Sequence, residues 1–230
     1  MSSLPIKHPN KQPYNWLIYE SNFEFLDRLS GNFRGHLFDL GCGEMPYREW
    51  LLNYADRYTG VDWGGTQHEL RADVVADLNE PLPIDNGVAD TVISLSVIEH
   101  LREPQVFLDE AHRILKTGGR MVLQVPFMWR IHEAPYDYAR YTRFGLRYLI
   151  EKAGFADVEV YPQAGFWTMW TLKFNYQTLG LLRGPRLVRK TIELLLRVVW
   201  ALDQRAAWLL DRHMKGEDET AGYFVVARKS

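Results

Sequence analysis

The densest run of chemically capable side chains lies between Phe127 and Thr142, where His132, Glu133, Tyr136, Asp137, Arg140 and Tyr141 fall close together. This set could move a proton and hold a polar ligand. An imidazole titrates near pH ~6.5 and so can accept a proton at neutral pH, while a carboxylate such as Asp137 can orient the ring. A guanidinium and two phenols add hydrogen-bond donors. A second reading stays open, in which His132 and Asp137 only fasten their loop. His100, preceded by Glu99, is a further candidate and reads equally well as a residue tying a loop to the backbone. No second histidine or carboxylate cluster sits at ligand spacing on one element, so no metal is expected.

A different chemistry is suggested by Asp39, Gly41, Cys42 and Gly43, which end the apolar run 35–40. Two glycines permit backbone angles closed to other residues and let a ligand approach the main chain. About twenty residues later Tyr58-Thr59-Gly60-Val61-Asp62 ends in a carboxylate, with Trp63 beside it. An acidic residue at that place accepts hydrogen bonds from ribose hydroxyls in nucleotide-binding α/β folds. The dinucleotide fingerprint is only half met, because Met45 and Pro46 stand where a third glycine would be, and no phosphate-loop lysine follows. A ligand with ribose but no pyrophosphate suits this turn best.

These groups need rigid elements behind them. The chain has 230 residues, 47% hydrophobic and 24% charged, enough for one substantial core. A net charge of −2 carries no polyelectrolyte signature, so no nucleic-acid partner is expected. One cysteine, Cys42, excludes an intramolecular disulfide. No secretory signal is visible, so the expected location is cytoplasmic, with peripheral contact at the inner face of the membrane as an alternative. Apolar spacing predicts a helix over 14–29, short strands near 57–61, 73–76, 89–95, 121–125, 156–161 and 223–227, and a short helix over 46–53. Pro104 opens a helix that Gly118-Gly119 should close. Thr142 is a plausible cap for a helix over 143–153, stopped by Gly154. Alternating strands and helices imply an α/β fold, a parallel sheet between helical layers.

In order and spacing, Leu37-Phe38-Asp39-Leu40-Gly41-Cys42-Gly43, Val61-Asp62, Val75-Ala76-Asp77-Leu78, the strand 89–94 with Glu99-His100, and Leu115-Lys116-Thr117-Gly118-Gly119-Arg120 resemble a class I S-adenosylmethionine-dependent methyltransferase. The resemblance covers roughly 35–160 and implies a Rossmann-like seven-stranded sheet, order 3-2-1-4-5-7-6, with the last strand antiparallel. It implies S-adenosylmethionine as cofactor, with Asp39 and the turn 41–43 at its methionine part and Asp62 at the ribose. Asp77 would meet the adenine amino group, with Asp73 as its rival, and Leu78 would line the ring. Ser94 would lie beneath the transferred methyl. The loop 132–142 resembles that of a branch often found with polysaccharide biosynthesis, which implies O-methylation of a saccharide or envelope-precursor acceptor, free or lipid-linked. A small aromatic or lipid-like acceptor such as a quinone precursor is the enzymatic rival, with Trp129, Phe166 and Trp167 as an apolar wall. A cofactor-binding regulatory protein without turnover is the rival of another class.

The expected organisation is an N-terminal arm and helix (1–34), the cofactor domain (35–162 plus 221–230) and a helical insertion (163–220). Within the insertion, Val188, Ile192, Leu195, Val199, Leu202, Ala206 and Leu209 recur at alternating four and three, one continuous helix seam. That seam is expected to pack on the protein's own surface as a lid; a homodimer and an anionic membrane surface are the alternatives. Charged residues interrupt every apolar run, so no spanning helix is expected.

Overall fold

The computed structural model describes residues 8–65, 71–214 and 218–230, so half of the expected N-terminal arm, residues 1–7, lies outside the described residues. Seven strands form: β1 (His36–Leu40), β2 (Arg57–Asp62), β3 (Val74–Val75), β4 (Ala89–Leu95), β5 (Leu115–Pro126), β6 (Phe155–Pro162) and β7 (Gly222–Lys229). They make one sheet in the order β3-β2-β1-β4-β5-β7-β6, with β7 antiparallel. The first five strands pair in parallel, with Phe38 opposite Thr59 on one side and Val92 on the other, and Leu95 opposite Gln124. Central parallel strands are covered on both faces and therefore read as continuous apolar runs. Leu37, Leu40, Val92, Ile93, Met121 and Val122 are accordingly inaccessible to solvent.

Two helices take their ends from named residues. In α4 (Arg143–Lys152) the Thr142 hydroxyl accepts the Gly145 amide at 3.1 Å, and Gly154 just beyond has φ +92°. That is a capped start and a glycine stop. The helix opened by Pro104 ends sooner than its glycines suggest: α3 spans Pro104–Ile114, and Leu115 already begins β5. Gly118-Gly119 instead belong to an irregularity in β5, where pairing jumps from Ala89–Leu115 to Thr91–Arg120. Gly118 has φ +77°, and a Cβ on Gly119 would come within 2.8 Å of the Lys116 carbonyl oxygen, so the bulge requires small residues. α1 is Trp16–Arg28 and α2 is the short Arg48–Leu51.

The chain divides into two compact units, one of Leu26–Phe127, Ile131–Tyr161 and Tyr223–Ser230, the other of Met1–Phe25, Met128–Arg130 and Pro162–Gly222. The first holds the main core, which includes Leu40, Val92, Phe107, Ile114, Leu123 and Val225. The second contains α5 (Phe166–Thr178) and α6 (Arg186–His213). Asp211 of α6 caps α5 from a distance, accepting the Trp167 and Thr168 amides at 3.0 and 2.9 Å.

The faces of α6 reverse the expectation. It buries Leu196, Trp200, Gln204 and Ala207, whereas the predicted seam points outward, with Leu195 63% and Leu202 62% exposed and Val188, Val199 and Leu209 exposed too. The reason is polar pairing. Gln204 accepts the Leu17 amide at 3.0 Å and donates to the Pro13 carbonyl at 2.8 Å, and the Trp200 indole donates to Thr178 at 2.9 Å. α5 buries Met169 and Leu172 together with Thr168, Thr171, Asn175 and Thr178, while Phe166, Trp170 and Phe174 are exposed. No helix is long and apolar enough to cross a membrane among the described residues.

Candidate functional site

Parallel pairing brings the carboxyl ends of β1, β2, β4 and β5 to one edge of the sheet, the edge where open α/β sheets bind ligands. The chain turns sharply after β1: the Gly41 and Cys42 amides both donate to the Val61 carbonyl, at 2.8 and 3.2 Å. Gly41 has φ +84° and Gly43 φ +51°. A Cβ on Gly43 would meet nothing within 4 Å, so this backbone faces open space in which a ligand can lie against it.

Asp62 closes the turn. Its Oδ2 accepts the Gly43 amide and its Oδ1 the Trp63 amide, both at 2.7 Å. A carboxylate only accepts, and with about four lone-pair sites it can serve ligand hydroxyls beside backbone amides. Asp39 is buried and accepts the Tyr58 hydroxyl at 2.6 Å. Burial pushes its carboxyl up to about 7, the Tyr58 hydrogen bond opposes the shift, and the nearby Asp62 charge adds to it. Cys42 is buried and its thiol is pushed up, first by burial and then by Asp39 and Asp62, which keeps it an inert small residue of the turn.

Other predicted cofactor positions have partners within the chain. Asp77 Oδ1 accepts the backbone and side-chain amides of Asn79 at 2.9 and 2.8 Å, and Leu78 is buried in the core. Its rival Asp73 accepts the Gly60 amide at 2.8 Å. Ser94 is buried and donates to the Leu40 carbonyl at 2.6 Å, so its hydroxyl joins β4 to β1. Neighbouring Ser96, at φ +56°, is the exposed one.

The loop after β5 is gathered around Glu99. The Tyr138 amide donates to the Glu99 carbonyl at 2.8 Å, and the Trp63 and Tyr136 rings meet edge to face at 5.2 Å. Arg140 grips Asp137 with two nitrogens, at 2.5 and 2.8 Å, and this holds the Asp137 carboxyl down at about 2. Asp137 also accepts the His132 amide at 2.9 Å. His132 Nδ1 lies 3.4 Å from both Asp137 Oδ2 and Arg140 Nη2. Burial, then His100 beside it, lowers the His132 pKa, so the ring is neutral at neutral pH. His100 donates from Nδ1 to the Tyr136 carbonyl at 2.6 Å. Glu99 is fully buried, and burial, with the Asp137 and Glu133 charges adding, raises its carboxyl to about 8. Glu133 itself is exposed, at φ +51°, and Tyr141 packs against the core with its hydroxyl pKa raised by burial.

The structure thus brings His100, His132, Asp137, Arg140 and Tyr136 together, as it does Asp39, Gly41, Gly43, Asp62 and Trp63. Trp129 belongs to the helical unit, where its ring lies 5.6 Å from that of Tyr176. Sequence reading passed over Tyr58 and Val97. The signal for both was strand pairing: Tyr58 is two residues from Gly60, the partner of Asp39 in β2, and Val97 follows β4, the other neighbour of β1. A shallow hollow beside Asn86, Arg113 and Lys229 lies at the opposite ends of the strands and contains none of these residues.

Residues 38–123 match the family model for a methyltransferase domain. A ubiquinone biosynthesis O-methyltransferase from Pseudomonas aeruginosa is 24% identical over 163 residues, 60% of this chain and 66% of the relative. The chain therefore spans just under two thirds of that curated relative. Among solved structures, Haemonchus contortus phosphoethanolamine N-methyltransferase 2 in complex with S-adenosyl-L-methionine superposes with TM-score 0.58 at 17% identity, over 94% of this chain and 56% of that one. An S-adenosylmethionine-dependent methyltransferase from Mesorhizobium loti gives TM-score 0.58 at 16% identity, over 93% and 100%. At these identities the structural likeness is one of fold.

Proposed function

We propose that this methyltransferase domain uses S-adenosylmethionine to methylate a hydroxyl group of a small acceptor. The observation that carries the reading is the turn after β1, closed by Asp62 on the Gly43 amide at 2.7 Å and open beside Gly43. Its residues fit the cofactor: Asp39 offers a carboxylate to an ammonium, Asp62 offers acceptors to ribose hydroxyls, and Asp77 keeps Oδ2 for an amino group. When bound, S-adenosylmethionine supplies a methyl group on a sulfonium carbon. The chain's part is alignment and proton removal. As the acceptor oxygen forms its bond to carbon and the carbon–sulfur bond breaks, the hydroxyl proton must leave, and the Glu99, His100 and His132 cluster is where the chain can assist that loss. Arg140 and Asp137 hold His132 in place for it.

The acceptor we favour is a saccharide or envelope precursor, on the likeness of the loop 132–142 to that of polysaccharide-associated methyltransferases. A phenolic quinone precursor is the second reading, favoured by the ubiquinone-pathway relative. Incubating the purified protein and cofactor with saccharide, lipid-linked and phenolic acceptors, read by mass for the added methyl, decides between them. No methylated product and no demethylated cofactor from any acceptor would sink the enzymatic reading. His132→Ala is expected to lower the rate about a hundredfold with cofactor affinity kept; wild-type turnover would leave His132 a loop residue.

We infer that the outward face of the helical unit lies on an anionic membrane surface. Leu187, Leu194, Leu195, Val198 and Leu202 on α6 and Trp170 and Phe174 on α5 are exposed, and Arg183, Arg186, Arg189 and Lys190, also exposed, have no ion-pair partner among the described residues. Apolar groups with basic neighbours suit a lipid interface. A second copy fits less well, since antiparallel pairing of α6 would bring Arg186–Lys190 against Arg205 and Arg212, and parallel pairing would set like residues together. Flotation with phosphatidylglycerol vesicles at low salt, lost at high salt and absent with neutral vesicles, is the expected result. Protein that stays behind at low salt, or that dimerises through Leu195 and Leu202, refutes the assignment.

A further inference from the structure

Glu99 presents an electrostatic problem that the chain alone leaves open. Its side chain is wholly buried, and neither carboxylate oxygen has a hydrogen-bond partner. A buried carboxylate in that condition requires a proton or a cation. The groups nearest to it are themselves Lewis bases. His100 Nε2 lies 3.6 Å and His132 Nε2 3.7 Å from Glu99 Oε1, and one ligand atom from each of the three residues lies within 4.8 Å of the others.

The far sides of both rings are already engaged. The Tyr136 carbonyl takes the His100 Nδ1 proton at 2.6 Å, so Nε2 of that ring presents a lone pair toward Glu99. His132 Nδ1 lies 3.4 Å from Asp137 Oδ2 and also 3.4 Å from the Arg140 Nη2 donor; in the tautomer that carries its proton on Nδ1, toward Asp137, Nε2 presents a lone pair toward Glu99. Imidazoles that ligate a metal characteristically donate their other N–H to a carbonyl or carboxylate. With bonds of about 2.1 Å, the two separations from Glu99, 3.6 and 3.7 Å, subtend about 120° at a shared ion, and the ligand atoms, which lie within 4.8 Å of one another, need draw in only to about 4.2 Å or less for both rings to reach it. Sequence spacing hid this, because His132 stands thirty-two residues beyond His100. Parallel pairing of β4 with β5 brings the two loops together.

We propose that Glu99, His100 and His132 form a site for a divalent transition-metal cation, two imidazoles and one carboxylate, with a further coordination position open to the acceptor hydroxyl. Binding of the ion is independent of the proposed methyl transfer; its purpose rests on that reading. A hydroxyl bound to a divalent cation loses its proton at lower pH, and the proton passes to water before the oxygen attacks carbon. No electron is exchanged. The cluster then acts by acidifying the acceptor rather than by taking its proton.

The test uses the full chain, stripped with chelator and titrated with Zn²⁺ and separately with Co²⁺, whose visible absorption reports coordination number. One equivalent of each ion is expected to bind in the micromolar range or tighter. His100→Ala and His132→Ala should each lose tenfold or more in affinity and the cobalt spectrum, whereas His213→Ala, at the end of α6, should bind as the wild type does. Circular dichroism confirms that each variant is folded, and Glu99→Gln provides a third variant of nearly unchanged shape. Absence of stoichiometric binding, or binding undiminished in the folded His100→Ala and His132→Ala proteins, overturns the site; a protonated Glu99 then accounts for the buried carboxylate. Metal binding without methylation of any acceptor leaves the site standing and defeats the proposed function. Full methylation by protein that binds no metal does the reverse.

Discussion

Replacing Gly41 by alanine tests whether the turn after β1 is built as described, and its cost can be worked from two separate causes. Gly41 sits at φ +84°, where a Cβ crowds the following carbonyl, at a cost of about 1 to 2 kcal/mol. The added methyl would also lie 2.3 Å from Val97 Cγ2 and 2.8 Å from Cγ1. Valine is stiff about χ1, so the clash is not relieved by a small rotation, and overpacking of this kind costs about 1 to 3 kcal/mol. Gly41→Ala should therefore destabilise the protein by about 2 to 5 kcal/mol. Val97→Ala deletes both offending carbons and leaves only Val97 Cβ, at 3.1 Å. In the double variant the steric part should be recovered while the backbone strain remains, giving a favourable interaction of about 1 to 3 kcal/mol between the two sites. Urea denaturation of the four proteins of the cycle, compared at constant m-value, measures it. Strict additivity would show that Val97 does not press on the turn, and an unaltered midpoint for Gly41→Ala would show that the turn is not held in this conformation.

Asp62→Ala should weaken S-adenosylmethionine binding by about 1 to 3 kcal/mol by calorimetry and also lower stability, since the Gly43 and Trp63 amides lose their acceptor; unchanged affinity in a folded variant removes Asp62 from the site. Asp39 titrates near 7 when folded and near 3.8 when unfolded, so between those values the native state holds the extra proton and its stability should fall as pH rises from about 4 to 7. Asp39→Asn should abolish that slope in denaturation measured at pH 5 and 8, and in the wild type cofactor affinity should rise through pH 7 as the carboxylate ionises. Thr142→Ala removes the acceptor of the Gly145 amide and should cost about 1 kcal/mol in thermal stability with cofactor affinity unchanged; a shift in affinity would contradict a purely local cap.

The strands were legible because buried parallel strands leave apolar, β-branched runs between glycine turns, and α4 because Thr142 and Gly154 mark it by local chemistry, whereas the strand order came only from the resemblance to class I methyltransferases. Three features escaped for physical reasons. Gly118-Gly119 signal positive backbone angles equally well in a helix stop and in a bulge, and only the β4–β5 register distinguishes them. On α6, Leu196, Trp200 and Ala207 form one apolar row and Val188, Leu195, Leu202 and Leu209 another; periodicity shows that rows exist, whereas the partners of Gln204 and Trp200 decide which turns inward. Ser94 and Glu99 were placed correctly at the end of β4 and just beyond it, but the direction of a side chain there depends on its neighbours across the sheet. Of the candidate site, the glycine turn and Asp62 were readable because they are close in sequence to the strands that place them. The convergence of His100 with His132 was not, because it arises only when the sheet closes.

The partners of Gln204 and Asn175 have a bearing on how the chain folds. Gln204 bonds to Pro13 and Leu17, and the Asn175 side chain donates to the Tyr14 carbonyl at 3.0 Å, so the first and last quarters of the sequence supply partners to each other's buried polar groups. These pairings join residues separated by 161 to 191 positions. Loop closure over such distances is slow compared with forming helices or adjacent strands. During synthesis, the segment around Tyr14 emerges early and must wait, unsatisfied, until nearly the whole polypeptide has been made. The sheet can assemble through β5 in the meantime, which makes the helical unit the last part to become native and the part most exposed to chaperones and proteases on the way.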